Sequence, residues 1–109
     1  MQYINLTPHA INVQKLDGTM MEIPPSGKVA RVEQESRQLF VTREDVAIYA
    51  TSYGEVTGLP SKPAGETWLI VSEIVRLAVP GRKDVLSPGE QIRNEAGRVI
   101  GCNGLLGNP

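Results

Sequence analysis

Arginine side chains are the strongest candidates for ligand chemistry in this sequence. Arg76 lies in the most hydrophobic segment of the chain, Arg82 follows the helix-breaking pair Pro80-Gly81, and Arg93 precedes a turn near the C-terminus. A guanidinium group binds phosphate oxygens through two parallel hydrogen bonds, which a lysine does not. If the fold gathers these arginines at one concave place, they would hold an anionic ligand such as a nucleotide.

Surface ion pairs are the competing explanation for the arginines. Oppositely charged residues three apart on a helix, or opposite each other in a hairpin, attract one another without any ligand. For each single arginine we favour an ion pair, and for contact between at least one of them and an anionic ligand the two explanations are balanced. The sequence offers three such pairs: Glu73 with Arg76, Arg82 with Asp84, and Glu90 with Arg98.

Hydroxyl and aromatic side chains would supply the other contacts of a nucleotide. Tyr53, or alternatively Tyr49, offers a ring for stacking on a base, and the hydroxyls of Thr51 and Ser72 would donate to ribose or phosphate oxygens. Solubility of a loop explains the Thr51 hydroxyl equally well, and helix capping explains that of Ser72. The expected ligand-binding set is Arg76, Arg82, Arg93, Tyr53, Thr51 and Ser72.

Catalytic and metal-binding patterns are weak. His9 is the only histidine and Cys102 the only cysteine, which excludes an internal disulfide, a multi-histidine metal site and a zinc site built from thiolates. A Cys102 nucleophile activated by His9 is the most plausible enzyme arrangement, but the apolar surroundings of Cys102 are typical of a buried thiol. We expect no enzyme activity, no metal and no cofactor.

Composition limits the class of protein. The chain of 109 residues is 40% hydrophobic and 21% charged, which is typical of one globular domain spanning residues 1–109. Its net charge of −1 argues against binding to polymeric nucleic acid or to a membrane surface. No signal peptide pattern and no spanning apolar stretch of about 20 residues is present. We therefore expect a cytoplasmic protein.

The segment from Trp68 onward organises the fold. The run 68–71 is apolar and β-branched, which predicts a strand buried on both faces. Ser72 then offers a helix N-cap, and apolar residues recur at helical spacing up to Ala78, before Pro80-Gly81 ends the helix. One continuous strand over 68–78 is the alternative.

Two hairpins are predicted around this segment. Asp17-Gly18 joins strands at 10–16 and 19–23, and a turn at 94–97 joins strands at 90–93 and 98–102. Residues 103–109 form a glycine-rich tail. Further strands are predicted at 2–6, 28–32 and 46–50, with loops at 33–38 and 51–67, a single helical turn after Thr42, and a functional role for the longer loop. We expect an α+β fold: a mostly antiparallel β sheet or small sandwich with one short helix.

Several strings of residues give the chain a family likeness. The strings are Ile4-Asn5-Leu6-Thr7-Pro8-His9-Ala10-Ile11, Pro25-Ser26-Gly27, Val29-Ala30-Arg31-Val32, Gly54-Glu55-Val56-Thr57-Gly58-Leu59-Pro60, Ile70-Val71-Ser72, Arg82-Lys83-Asp84, Pro88-Gly89 and Gly97-Arg98-Val99-Ile100-Gly101-Cys102. In these strings the chain resembles small proteins encoded in tailed-phage and prophage genomes, and this resemblance brings no catalytic assignment with it.

The phage resemblance implies a function. The chain is similar in size to non-catalytic phage proteins that assemble as homo-oligomers and bury a host immune nucleotide between subunits. By this analogy we expect it to sequester a cyclic dinucleotide or an ADP-ribose derivative in the infected bacterium, countering anti-phage defence. The alternative is a protein-binding inhibitor or accessory factor with no small-molecule ligand, which would use a sheet edge or an apolar patch.

Overall fold

Strands dominate the computed structural model, which describes residues 2–61 and 66–109. The expected α+β class is confirmed, because one short helix accompanies the strands and most cross-strand residue pairs are antiparallel. Shorter parallel pairings also occur within the larger sheet. The elements are β1 (Gln2–Asn5), β2 (Ile11–Gln14), β3 (Met20–Ile23), β4 (Arg31–Val41), β5 (Ala47–Thr57), β6 (Thr67–Ile70), α1 (Glu73–Ala78), β7 (Val85–Arg93) and β8 (Val99–Gly107).

Six of these strands form one nearly closed sheet in the order β1-β6-β7-β8-β2-β3. Its two edges meet at Asn5, whose backbone carbonyl accepts a hydrogen bond of 3.0 Å from the amide of Ser26. The side chain of Asn5 is 1% exposed and donates through Nδ2 to the carbonyl of Ile23 at 3.0 Å. A buried asparagine therefore joins β1 to the end of β3.

The apolar core lies on both faces of β6. Leu69 and Ile70 are neighbours in this strand, and alternation sends their side chains to opposite faces of the sheet. Leu69 packs in one buried cluster and Ile70 in the other, and both are completely buried. The prediction of a strand at 68–71 that is buried on both faces is confirmed.

A short helix follows β6, so the interpretation of strand plus helix is correct and the continuous strand is not formed. Ser72 occupies the N-cap with extended backbone angles, and its carbonyl accepts the amide of Arg76 at 3.1 Å. Its hydroxyl makes no capping hydrogen bond. Val75 and Arg76 form the buried side of the helix.

Both predicted hairpins are present. In the first, Gly18 takes a φ of +87°, which suits glycine at this turn, and β2 pairs antiparallel with β3. The second is longer than expected, because residues 103–107 continue β8 and pair with β7 as far as Leu86. The predicted glycine-rich tail is therefore mostly strand.

A long two-stranded hairpin, which we call the β-arm, replaces several predicted loops. Its strands are β4 and β5, so the loop predictions for 33–38 and for the first part of 51–67 are wrong, and residues 62–65 lie outside the described residues. The single helical turn expected after Thr42 is instead the turn of this hairpin, where Val46 donates its amide to the Thr42 hydroxyl at 3.1 Å. The polar strands show little alternation because both faces meet solvent.

The β-arm extends away from the six-stranded sheet. At its base Val32 and Val56 pack on the core, whereas most residues beyond them are exposed. The radius of gyration is 16.9 Å, against roughly 13 Å for a compact domain of this length. The arm makes the molecule elongated, with extents of 53 × 40 × 27 Å.

Candidate functional site

Arg76, the first of the expected phosphate-binding residues, is buried and bonded inside the protein. Only 8% of its surface is exposed, and its Nε donates to the fully buried hydroxyl of Ser87 at 2.8 Å. Its Nη1 lies 3.3 Å from Oδ1 of Asn108 and 3.5 Å from the carbonyl of Gly107. Glu73 approaches Nη2 at 3.7 Å. The guanidinium connects α1 to β7 and to the end of β8.

Arg82 is held by a carboxylate. Its Nε and Nη2 bind the two oxygens of Asp84 at 2.9 and 2.8 Å, and Nη2 also donates to the carbonyl of Pro60 at 3.1 Å. The hydrogen bonds to Asp84 raise the pKa of Arg82 above its ordinary value. This bidentate pair uses the donor geometry that would otherwise grip a phosphate.

Two of the three expected ion pairs are thus confirmed, between Glu73 and Arg76 and between Arg82 and Asp84. The third is not seen within the described ranges, where Glu90 lies opposite Asn103 of β8. Ion pairing therefore accounts for the arginines nearest α1.

Arg93 lies apart from the other two arginines. It donates to the carbonyl of Gly97 at 2.7 Å and to Oε1 of Gln91 at 3.1 Å, all within the β7–β8 hairpin. Arg93 is six positions along β7 from Ser87, the partner of Arg76, which corresponds to about 20 Å along a strand. Each of the three arginines has an internal partner, and they do not converge on one place.

A groove of about 860 Å³ lies beside the N-terminal end of α1. It includes Ser72, the one member of the expected ligand set that lines it. Glu73 and Glu90 are the charged residues of its lining, which contains no arginine or lysine. The fixed charges of the lining are therefore negative and would repel phosphate.

The most plausible enzyme pair also reaches this groove. His9 and Cys102 both line it, His9 exposed and Cys102 only 4% exposed. The burial of Cys102 in the cluster around Ile70 agrees with the small hydrophobic role expected from its sequence context.

Tyr53 and Thr51 lie together on the β-arm. They are two residues apart in β5, as are Thr51 and Tyr49, so strand alternation places all three side chains on one face. Across this face, Gln34 lies opposite Tyr53 and Ser36 lies opposite Thr51. Two of the six expected ligand residues are thus brought together, on a surface of tyrosines and small polar groups.

Four apolar side chains near the turn of the β-arm, Leu39, Phe40, Val41 and Val46, were not singled out from the sequence. The signal that could have found them is the run Leu39-Phe40-Val41 directly before a polar turn, since consecutive apolar residues on a solvated hairpin are unusual. Six large side chains of the arm are between 47% and 58% exposed: Leu39, Phe40, Val41, Val46, Tyr49 and Tyr53.

Comparison of the chain with protein-family models, with curated proteins and with solved structures gives no match. In the part of the chain that the structure describes, no helix has the length and apolar character needed to cross a membrane.

Proposed function

We propose that this protein is a non-enzymatic phage protein that acts by binding another protein through its β-arm. One observation carries the proposal: the arm exposes six large apolar side chains, each over about half of its surface. Several large apolar side chains exposed on one projecting element are typical of a protein interaction site. In this protein-binding alternative, the binding surface is the β-arm.

The construction of the arm supports the proposal. A two-stranded hairpin by itself is only marginally stable in water, so one that projects from its domain gains from a further covering surface. Its exposed face combines Tyr49 and Tyr53 with Thr51 and Ser36. Tyrosine with small hydroxyl side chains is a typical composition of surfaces that recognise proteins.

Nucleotide binding is the second candidate, and the shared face of Tyr53 and Thr51 favours it. A base would stack on a tyrosine ring, and the Thr51 hydroxyl would donate to the sugar. Arg76, Arg82 and Arg93 play no part in this version, because their donors bind protein groups. Because those cations are not available to a ligand, nucleotide binding is the weaker of the two proposals for the protein in the infected bacterium.

A photo-crosslinking amino acid at position 49 tests the leading proposal in phage-infected cells. We expect it to capture a protein, and the captured protein, once purified, to bind the Phe40→Ser/Tyr49→Ser double variant at least tenfold more weakly than the unchanged chain. Leu16 is a matched control site, because it is fully exposed at the β2–β3 turn, away from the arm. Equal capture from positions 16 and 49, or no capture, would overturn the proposal.

Calorimetric titration separates the two candidates. Cyclic dinucleotides and cyclic ADP-ribose isomers are titrated into the protein and into its Tyr53→Ser variant. If the arm binds a protein, neither the unchanged chain nor the Tyr53→Ser variant should release heat with any of these nucleotides. Binding heat that is measured with the unchanged chain and is absent with the Tyr53→Ser variant would establish a nucleotide ligand instead.

A further inference from the structure

We infer that the protein bound along the β-arm is a second copy of this chain, paired antiparallel through β5. The inference rests on the proposed function of the arm as a protein-binding element, and it names the partner. It starts from a difference between the two edges of the arm, which is a separate sheet of only two strands, β4 and β5.

The edge strand β4 carries a row of exposed charged side chains. Arg31, Glu33, Glu35 and Arg37 alternate along this strand, and all four are exposed. Charged side chains on an edge strand oppose pairing with another chain, because their desolvation is costly. The β4 edge therefore resists the addition of a strand.

The edge strand β5 has an uncharged central segment. The segment 47–53, Ala-Ile-Tyr-Ala-Thr-Ser-Tyr, contains neither a charge nor a proline. β-Branched and aromatic residues favour extended structure, and a seven-residue uncharged segment on an open edge is a template for strand addition. Among the described strands, β4 alone pairs with β5. The uncharged edge of β5 is thus available for pairing with a strand of a second chain.

A second copy fits this edge because the segment is complementary to itself. In an antiparallel pair with its two-fold axis at Thr51, Tyr49 lies opposite Tyr53 of the other copy, and the reverse pair forms as well. Directly opposed aromatic side chains stabilise antiparallel strands. Side chains two apart share a face, so the two copies bring four tyrosines together on one side of the new sheet.

Neighbouring registers are less favourable. A two-fold axis at Ala50 places Tyr49 opposite Thr51 and Tyr53 opposite Ala47 of the other copy, so no tyrosine pair forms. An axis at Ser52 places Tyr49 opposite Glu55 and again separates the tyrosine pairs. Of these three registers, only the one centred on Thr51 places tyrosine directly opposite tyrosine.

Pairing also completes the arm. The product is a four-stranded sheet in the order β4-β5-β5-β4, which passes the three-strand threshold for independent stability. Tyr49 and Tyr53 are each a little over half exposed, which makes on the order of 200 Å² of aromatic surface available per copy. A stable interface buries about 800 Å² on each side. We therefore expect a dimer that dissociates on dilution.

Sedimentation equilibrium of the full chain over a wide concentration range tests the inference. We expect a reversible monomer–dimer equilibrium, and we expect Thr51→Lys to be monomeric because two lysines would face each other at the axis. Ser36→Lys is the matched control: it lies opposite Thr51 on the same face of the same arm, but on the β4 strand. This control should dimerise like the unchanged chain.

A charge-reversed mixture tests the two-fold axis itself. Thr51→Lys mixed with Thr51→Glu should restore the dimer as a heterodimer, while neither variant dimerises alone. Thr51→Cys should form a disulfide-linked dimer under mild oxidation, because directly opposed residues have Cα atoms within disulfide range. Ser36→Cys should not.

The failures are distinguishable. A chain that stays monomeric at every concentration, or a Thr51→Lys variant that still dimerises, overturns the pairing of two copies through β5. Capture of a different protein from position 49 would then leave the arm a protein-binding element with another partner. Loss of both the dimer and the capture would overturn the proposed function as well.

Discussion

Asn108 binds both the side chain and the backbone of Arg76. Its Oδ1 lies 3.3 Å from the guanidinium Nη1, and its Nδ2 donates to the Arg76 carbonyl at 3.4 Å. The same Nδ2 donates to the carbonyls of Val79 and Arg82 at 3.0 and 3.1 Å. A helix leaves its last carbonyls without intrahelical partners. The side-chain amide of Asn108 donates to these carbonyls at the end of α1, and its oxygen orients the guanidinium of Arg76.

Asn108→Ala should therefore destabilise the protein. Removing the amide leaves partly buried carbonyls and one guanidinium nitrogen without this partner, which costs about 2 kcal/mol of the free energy of unfolding. Asn108→Asp should lose a similar amount, since a carboxylate cannot donate to the carbonyls. Urea unfolding measures both values. Asn103→Ala, at an exposed position of β8, the strand that ends directly before Asn108, should change stability by less than about 0.5 kcal/mol; an equal loss there would show that Asn108 has no special role.

Arg76 and Arg93 should respond differently to the same substitution. Arg76→Met removes the hydrogen bond to the buried Ser87 and breaks the connection to Asn108, for an expected loss of about 3 kcal/mol. Arg93→Met removes exposed contacts inside one hairpin, for an expected loss below about 1 kcal/mol. Chemical denaturation of both variants measures the difference. Equal losses would contradict a structural role confined to Arg76.

Local signals in the sequence predict the elements whose side chains divide between core and solvent. Asp17-Gly18 predicts its hairpin because two residues set the turn geometry. The apolar run at 68–71 predicts a strand buried on both faces because successive apolar residues alternate between the two faces, and Leu69, Ile70 and Val71 are completely buried. Both depend on residues close together in the chain, and both are confirmed.

The β-arm and the internal use of Arg76 lie beyond such local signals. Both faces of the arm meet solvent, so β4 lacks the alternation that identifies a strand, and its polar first half resembles a loop. Asn108 is 32 residues from Arg76, and only the pairing of β7 with β8 brings them together. Sequence spacing identifies arginines that are able to bind an anion, but the sheet order decides which groups they bind.

Asp17 should have a lowered pKa because of Thr19. Its Oδ1 accepts hydrogen bonds from the Thr19 hydroxyl at 2.6 Å and from the Thr19 amide at 2.9 Å, and these bonds hold the pKa of Asp17 below its ordinary value of 3.8. Thr19→Val removes the hydroxyl, the larger cause, and should move the pKa back toward that value. Carboxyl-carbon NMR titration measures the change, with Thr42→Val, which alters a different turn, as the control.

The lowered pKa of Asp17 also fixes the sign of its effect on stability with pH. A carboxyl group that is more acidic in the folded state contributes stability above its unfolded pKa and loses it as pH falls through the folded value. The contribution should therefore be complete above about pH 5 and decline below the ordinary value of 3.8. Asp17→Asn should remove this decline. An unchanged acid dependence of urea unfolding in that variant would assign the effect to other carboxylates.

Gly58 should be the least replaceable glycine at the base of the β-arm. It follows β5 with a φ of +77°, and a Cβ at this position would overlap the carbonyl oxygen of Val29 and lie 3.3 Å from Cα of Ala30. Both neighbours are backbone, so neither can turn aside as a side chain would. Gly58→Ala should cost about 3 kcal/mol, through backbone strain and the shift of the segment against which the arm is anchored.

Gly81→Ala provides the matched control for that substitution. Gly81 lies outside the left-handed region, and nothing stands within 4 Å of the position of its Cβ. Alanine there restricts the unfolded chain more than the folded one, so stability should stay the same or rise by up to about 1 kcal/mol. Hydrogen exchange of the β4 and β5 amides should accelerate in Gly58→Ala and not in Gly81→Ala. Equal exchange in the two variants would show that the arm keeps its position without the close approach of Gly58 to Val29.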